Sequence, residues 1–473
     1  MSGKLVIKKS SLLSFLLFYL FIIILCFIFL KGVVLSFVVC LAMFSALTWK
    51  AVNDLNNNSI LLFFCISIFV FLIAAPFANL IFGYEKITYF SDSSRNHFYY
   101  SLTISLAGVL TAYTIWPRSF VNTRALPNTS SYNRNRLQII SKYFFVFTYS
   151  LKIIQYLEIA FYTLRYGYMY YYTAYSSFLP SIVVKVSDMY IVGLSIYLAC
   201  LPNKKEGKRI LLFYILGSCI VGLGGRRFDF VISLVVTICY CLIRDRLPSK
   251  EETWIKQKTI ILIIVLLPVF ILLLMVLGAS RSMNEYGFVS FKETFLEFMA
   301  DVGNSGKVVM RAYEHKDMIP KGRFYSFGSI IEYFKYNEIT KLLFGSVPVN
   351  PRTEDYALNG HSLAYLVTYL FSRASFYSGH GQGSCYIAEL YADFDYIGVF
   401  LGSCLLGCFI KQFGSFKTNS VFIDSLCIYF LPAIIHMPRD TFCLPLTYII
   451  NLKYIAAFAF VFLISYRKVD NRT

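Results

Sequence analysis

Residues 60–82 read ILLFFCISIFVFLIAAPFANLIF, a run of twenty-three with no charged side chain. As a helix rising about 1.5 Å per residue, such a run covers the roughly 30 Å hydrocarbon core of a bilayer. Lipid offers no partner to an open backbone group, so the run must close its own hydrogen bonds as a helix. Working outward from it, the same test marks twelve segments. They are about 11–30, 32–49, 60–82, 98–116, 143–164, 181–201, 210–223, 230–243, 259–278, 385–410, 420–436 and 445–465. The seventh and eighth are short and flank Gly222, Gly224 and Gly225, which allows a broken or re-entrant path there. The first is too long and too apolar for a cleavable signal peptide and reads as a retained anchor. The expected fold is an all-α integral membrane protein with about twelve transmembrane helices.

Composition agrees. Of 473 residues, 57% are hydrophobic and 15% charged, where a soluble domain carries about 25% charged residues. This excludes a disordered chain, which needs low hydrophobicity, and an ordinary cytosolic enzyme. The net charge of +18 raises the question of a nucleic-acid partner, and the position of the charges answers it. If the twelve spans alternate, the segments 1–10, 50–59, 117–142, 202–209, 244–258, 411–419 and 466–473 fall on one side. They hold 23 Lys and Arg against six acids, which is +17 of the +18. Cytoplasmic loops carry such an excess. Both termini are therefore expected in the cytoplasm, the basic balance is a topology signal, and no nucleic acid is implied.

The twelve cysteines show no metal-ligand spacing, and most lie within spans, where they act as small apolar residues. No cofactor or metal is implied. Three parts follow: a bundle of about nine spans over 1–278, a large external segment over 279–384, and a bundle of about three spans with a tail over 385–473. The external segment carries three amphipathic stretches: Phe291 to Val302, Phe327 to Leu342, and Leu363 to Phe371. They read as helices lying on the bilayer surface, or as a lid over a lipid-linked substrate.

Ionisable residues gather on the same side. Arg226 and Arg227 fall in the short external turn GLGGRRFDF with Asp229, Arg281 opens the large segment, and Arg439 and Asp440 follow the eleventh span in HMPRDTF. A guanidinium fork matches phosphate oxygens, so these arginines are candidate pyrophosphate or glycan contacts; an ion pair with Asp229 is the plainer role for Arg226. His361 in NGHS and His380 in SGHGQGS sit among glycines that permit close approach of a ligand. Glu389, with Asp393 and Asp395, enters the tenth span, where an ionisable group is costly and marks function or an internal ion pair. Lys152, Glu158, Lys185 and Asp188 are also within spans, and internal pairing explains them. Glu389, His380 and Asp440 are the candidates for a base or a positioning role; His361 joins the arginines as a binding candidate.

The stretches GGRRFDF (224–230), GHGQGSCYIAELYADFDYIG (379–398) and PRDTF (438–442), with one large loop before the late spans, resemble the Wzy-type O-antigen and oligosaccharide repeat-unit polymerases. That resemblance implies an inner-membrane glycosyltransferase of GT-C-like architecture. It would move a growing glycan from undecaprenyl pyrophosphate onto a new lipid-linked repeat unit at the periplasmic face. The residues themselves add that the DxD-like pair Asp393–Asp395 lies in a span, so a metal-independent mechanism is expected. The resemblance also implies a chain-length regulating co-polymerase of the Wzz type as partner, besides membrane lipid. An O-antigen ligase and a lipid-linked oligosaccharide flippase or other transporter are the alternatives; shorter, more even loops would be expected of a flippase.

Overall fold

The structure, a computed structural model, describes residues 32–84, 89–116, 134–167, 170–245, 253–255, 291–303, 305–346, 350–414, 416 and 420–466. The expected spans at 11–30 and 259–278 lie outside them. The described residues are helical. In chain order the longer helices are α1 (Gly32–Asn53), α2 (Asn57–Phe82), α3 (Asp92–Ile115), α4 (Arg134–Tyr166) and α5 (Ser181–Ala199), then α6 (Lys204–Leu223) and α7 (Arg227–Arg244). The large segment holds α8 (Phe291–Val302), α9 (Ser305–Glu314), α10 (Gly328–Tyr336), α11 (Glu338–Phe344), α12 (Glu354–Asn359), α13 (Leu363–Phe371) and α14 (Arg373–Tyr377). The chain closes with α15 (Tyr386–Phe413), α16 (Val421–His436), α17 (Leu444–Ile450) and α18 (Leu452–Ser465).

Seven of these are long and apolar enough to cross a membrane, or eight if α17 and α18, bent by 54°, form one broken span. The expected short spans at 210–223 and 230–243 are the apolar parts of α6 and α7. Breaks in the helices have local causes. Pro76 in α2 cannot donate to residue 72 and crowds its carbonyl. The backbone absorbs this in a π-helical turn over Phe69–Ile73. In α15, Phe394 and Asp395 leave helical geometry, Asp395 at φ 54°, so the helix bends one turn after Glu389.

The chain divides into two compact units. The first comprises 1–118, 296–414 and 434–444. Its centre is the pair α3 and α15, whose backbones touch through glycine. A Cβ on Gly108 would lie 2.6 Å from the Phe400 carbonyl oxygen, and one on Gly407 would lie 2.7 Å from that of Val109. Beside this contact Ser403 donates to Ser105 at 2.8 Å, and Ser105 meets the Tyr386 hydroxyl at 2.6 Å. Two of the three amphipathic stretches join this unit's core: Leu296 and Ala300 of α8, and Leu363, Leu366 and Val367 of α13, are buried. The middle stretch does not, for α11 leaves its apolar side chains exposed.

The second unit comprises 119–295, 415–433 and 445–473. Here α4 packs against α5, α6 and α18. Gly217 gives room for the Tyr149 ring, whose hydroxyl donates to the Tyr214 carbonyl at 2.5 Å. Asp188, at the interruption of α5, accepts from Lys152 of α4 at 2.7 Å and from Lys453 of α18 at 2.6 Å. Lys152 and Asp188 are thus paired as expected for charges within spans. Glu158 instead accepts from the Ser177 hydroxyl and the Phe178 amide, both at 2.7 Å.

Backbone contact through glycine tolerates no side chain, and overpacking costs about 1–3 kcal/mol. Gly407→Leu is expected to lower the thermal unfolding temperature of the detergent-extracted protein by several degrees; Leu405→Ala, on an exposed face of the same helix, should leave it nearly unchanged.

Candidate functional site

The candidate site lies in the first unit and is assembled from three stretches: 378–389, 436–443 and helix α9. The loop after α14 reads SGHGQGS (378–384). Gly379 at φ 89° and Gly383 at φ 78° hold left-handed conformations that glycine alone takes without strain. Arg352 holds the loop from outside. Its guanidinium donates to the carbonyls of Phe376 at 3.1 Å, Gly379 at 2.7 Å and His380 at 2.8 Å. The Gln382 amide donates to the Thr368 hydroxyl at 3.1 Å.

Glu389, in the first turn of α15, is 1% exposed. One carboxylate oxygen accepts from the Ser384 hydroxyl at 2.6 Å, the other from the Phe442 amide at 2.9 Å. A carboxyl group buried this deeply needs such hydrogen-bond partners. Glu389 therefore fastens the glycine-rich loop to the turn after α16. In that turn a 3₁₀ helix, Met437–Arg439, begins with Pro438 near its first position. Asp440 accepts from the Thr441 amide at 2.7 Å, and its other oxygen lies 2.8 Å from Nδ1 of His436. The His436 ring stands edge-on to Phe71, and the Arg439 guanidinium lies over the same Phe71 ring at 5.8 Å.

Between the two arms lies a cavity of about 250 Å³ lined by Ser305, Ser375, His380, Gly381, Gln382 and Arg439. It offers a guanidinium, an imidazole, an amide and two hydroxyls, a set suited to phosphate oxygens and sugar hydroxyls. Of the candidates read from the sequence, His380 and Arg439 meet here, and Glu389 and Asp440 stand behind them. His361 does not line the cavity. Its ring meets the Arg323 carbonyl and its amide donates to Glu332 at 3.3 Å, so it packs the α10 region. Asp393 likewise caps the 3₁₀ turn before α10, accepting from the amides of Tyr325 at 2.9 Å and Ser326 at 2.7 Å. Arg281 lies outside the described residues.

Arg226 and Arg227 belong to the second unit. Gly225, at φ 89°, turns the chain into α7, and Arg226 precedes its first residue. Its guanidinium donates to the Tyr171 hydroxyl at 2.7 Å, lies over that ring, and pairs with Asp229 at 3.2 Å.

One residue of the first unit escaped the sequence reading. Arg311 on α9, the helix that brings Ser305 to the cavity, is 6% exposed, and its guanidinium stacks 3.5 Å above the Phe371 ring. Its Nε and Nη1 have no hydrogen-bond partner among the described residues. Burial holds its pKa below the usual arginine range, with Tyr89 and Glu314 acting against that shift. A buried donor without an acceptor costs free energy, more so when charged. Arg311 is thus a buried cation stacked on Phe371, on the helix that carries Ser305 but not among the residues that line the cavity. The only sequence signal was a charge inside the apolar run VVMRA (308–312). Among the described residues no group of three or more His, Cys, Asp or Glu could hold a metal ion.

The family model of the O-antigen polysaccharide polymerase Wzy matches residues 11–469, nearly the whole chain. The chain belongs to that family. No curated protein and no solved structure matches it. As a Wzy-family member it is a multi-pass membrane protein of lipopolysaccharide biosynthesis, with the general role of an O-antigen polymerase acting on lipid-linked oligosaccharide repeat units. The resemblance read from three short motifs is thereby a family membership over residues 11–469.

Arg352 makes three charge-assisted hydrogen bonds, each contributing about 1.5–3 kcal/mol. Arg352→Ala in this Wzy-family protein is expected to speed amide hydrogen exchange over 379–384 at least about tenfold, read by mass spectrometry, while exchange in α3 stays slow.

Proposed function

We propose that the cavity between the glycine-rich loop and the Arg439 turn is where the polymerase joins repeat units. The growing glycan sits on undecaprenyl pyrophosphate, and a hydroxyl of a new lipid-linked unit attacks its anomeric carbon. A new C–O bond forms, the bond to the pyrophosphate oxygen breaks, and the hydroxyl proton leaves with a base. The observation that carries this reading is Arg439 and His380 facing one cavity, on arms that the buried Glu389 ties together.

In this reading Arg439 neutralises charge developing on the leaving pyrophosphate, as fixed donors do most effectively. Arg311, outside the cavity lining but on the helix that brings Ser305 to it, is proposed to bind a second anionic group. His380, exposed on the cavity wall, takes the acceptor proton. Glu389 and Asp440 are positioning residues: Glu389 fixes the two arms, and Asp440 orients His436 beside Arg439. Arg439 supplies cationic charge at the cavity, and the DxD-like pair Asp393–Asp395 lies within α15, so the reaction is read as metal-independent. Arg226, Arg227 and Arg281 are proposed as further pyrophosphate or glycan contacts; Asp229 already neutralises part of the charge on Arg226. The wider proposal keeps twelve spans in a GT-C-like arrangement, cytoplasmic termini, an inner-membrane location with a periplasmic site, a separate 279–384 segment, and a Wzz-type co-polymerase as partner.

Loss of a charge-assisted contact of about 1.5–3 kcal/mol slows a step roughly 10- to 100-fold. Arg439→Ala and Arg311→Ala are each expected to replace the long-chain lipopolysaccharide ladder on gels with core carrying a single repeat unit, at unchanged protein level in the membrane. Arg226→Ala should shorten chains less. Normal ladders from both Arg439→Ala and Arg311→Ala would overturn the assignment of the cavity, and a chain-deletion strain with no capped core at all would favour ligase or flippase.

A second expectation separates base from positioning. His380→Ala should lower the rate of chain extension without altering binding of the lipid-linked unit, measured by reconstitution with purified substrate. Glu389→Gln should change both, because the amide NH2 that replaces one oxygen cannot accept from Ser384 or Phe442.

A further inference from the structure

Of the three amphipathic stretches in the large segment, the middle one is exceptional. In α11, Ile339, Leu342, Leu343 and Phe344 are 49%, 86%, 66% and 78% exposed. This is a well-formed helix. Asn337 caps its start, accepting from the amides of Ile339 at 2.8 Å and Thr340 at 2.9 Å, and Gly345 ends it in the left-handed conformation at φ 62°. A capped helix that turns four large apolar side chains outward is built to meet an apolar medium.

The surface does not stop at α11. Along α15, Ile397, Leu401 and Leu405 are exposed at the spacing of one helical face, and Phe394, at the bend that precedes them, is exposed too. In a helix of a multi-pass membrane protein that face meets lipid. Phe394 touches Phe324, ring centroids 6.3 Å apart. Phe324, Phe327 and Phe334 are exposed in turn and lead to α11. One apolar surface thus runs from a membrane span through an aromatic ridge to the helix. Lys335 and Lys341, both exposed, flank it with charge that matches lipid phosphates, where lysines keep their ammonium at the headgroups.

We propose that α11 and the Phe324–Phe334 ridge are seated in the bilayer surface, with phospholipid as the occupant of this face. The anchor is fastened to the span, because Asp393 of α15 holds the amides of Tyr325 and Ser326. It also reaches the site's own turn, where the Ser329 and Thr441 hydroxyls lie 3.5 Å apart. Its depth in lipid therefore sets the height of the cavity wall at the level of lipid headgroups. A second copy of the chain fits this face less well, since a symmetric contact would bring the lysines of both copies together.

The test uses the full chain in phosphatidylcholine–phosphatidylglycerol vesicles, with a tryptophan added as Leu342→Trp and, in a second protein, as Phe344→Trp. The emission added over the three native tryptophans is expected to be quenched strongly by phospholipids brominated in their acyl chains and little by aqueous iodide. Quenching by iodide with no effect of brominated lipid would overturn the proposal. So would added emission shielded from both quenchers, whether at all protein densities, which means a protein partner, or only at high density, which means a second copy.

Discussion

A carboxylate that is 1% exposed and accepts two hydrogen bonds organises the first unit. Glu389 binds a hydroxyl five residues before it and an amide fifty-three residues after it, so two segments far apart in the chain become the facing walls of one cavity. Neither wall is regular structure. One is a loop held by two left-handed glycines and the Arg352 fork; the other is a single 3₁₀ turn with proline near its start. Irregular backbone of this kind holds its shape only where side chains over-determine it. Without the carboxylate, His380 and Arg439 would be carried on independent loops.

Much of the fold was legible because bilayer physics is severe. A long, mainly apolar run has few alternatives, and the helices at 60–82, 98–116 and 385–410 fall where hydropathy put them. What hydropathy could not give was which amphipathic helices are core. The faces of α8, α11 and α13 read alike in sequence, yet α13 is buried and α11 is bare, because burial depends on what packs opposite. The site was legible in its parts. His380, Glu389, Arg439 and Asp440 stood out as ionisable groups beside glycine or within a span. Their division of labour was not, since it depends on contacts between segments distant in sequence. Arg311 was hidden by its apolar neighbours, and His361, conspicuous among glycines, has its imidazole turned toward a backbone carbonyl of the α10 region.

The close approach of α3 and α15 places serine hydroxyls in a row between helices. Ser105, Tyr386 and Ser403 bond one another where glycines allow the backbones to meet, which is how helices associate when lipid offers no hydrophobic drive. This packing holds the start of α15 firmly. The bend at Asp395 then lies between the turn bearing Glu389 and a longer part of the helix that packs one face on α3 and leaves Ile397, Leu401 and Leu405 exposed on the other.

The bridge from Lys152 through Asp188 to Lys453 also has a bearing on biogenesis. The first two residues emerge early and neutralise each other as a pair. The third is made 265 residues later, almost at the end of the chain. Until it arrives the carboxylate has one partner, and when α18 enters the membrane its lysine finds a waiting acceptor already in place. The last helix is thus checked electrostatically against the earlier ones. A chain lacking residue 453 would keep the neutral Lys152–Asp188 pair and lose the second lysine, and with it the ionic tie between α18 and α5.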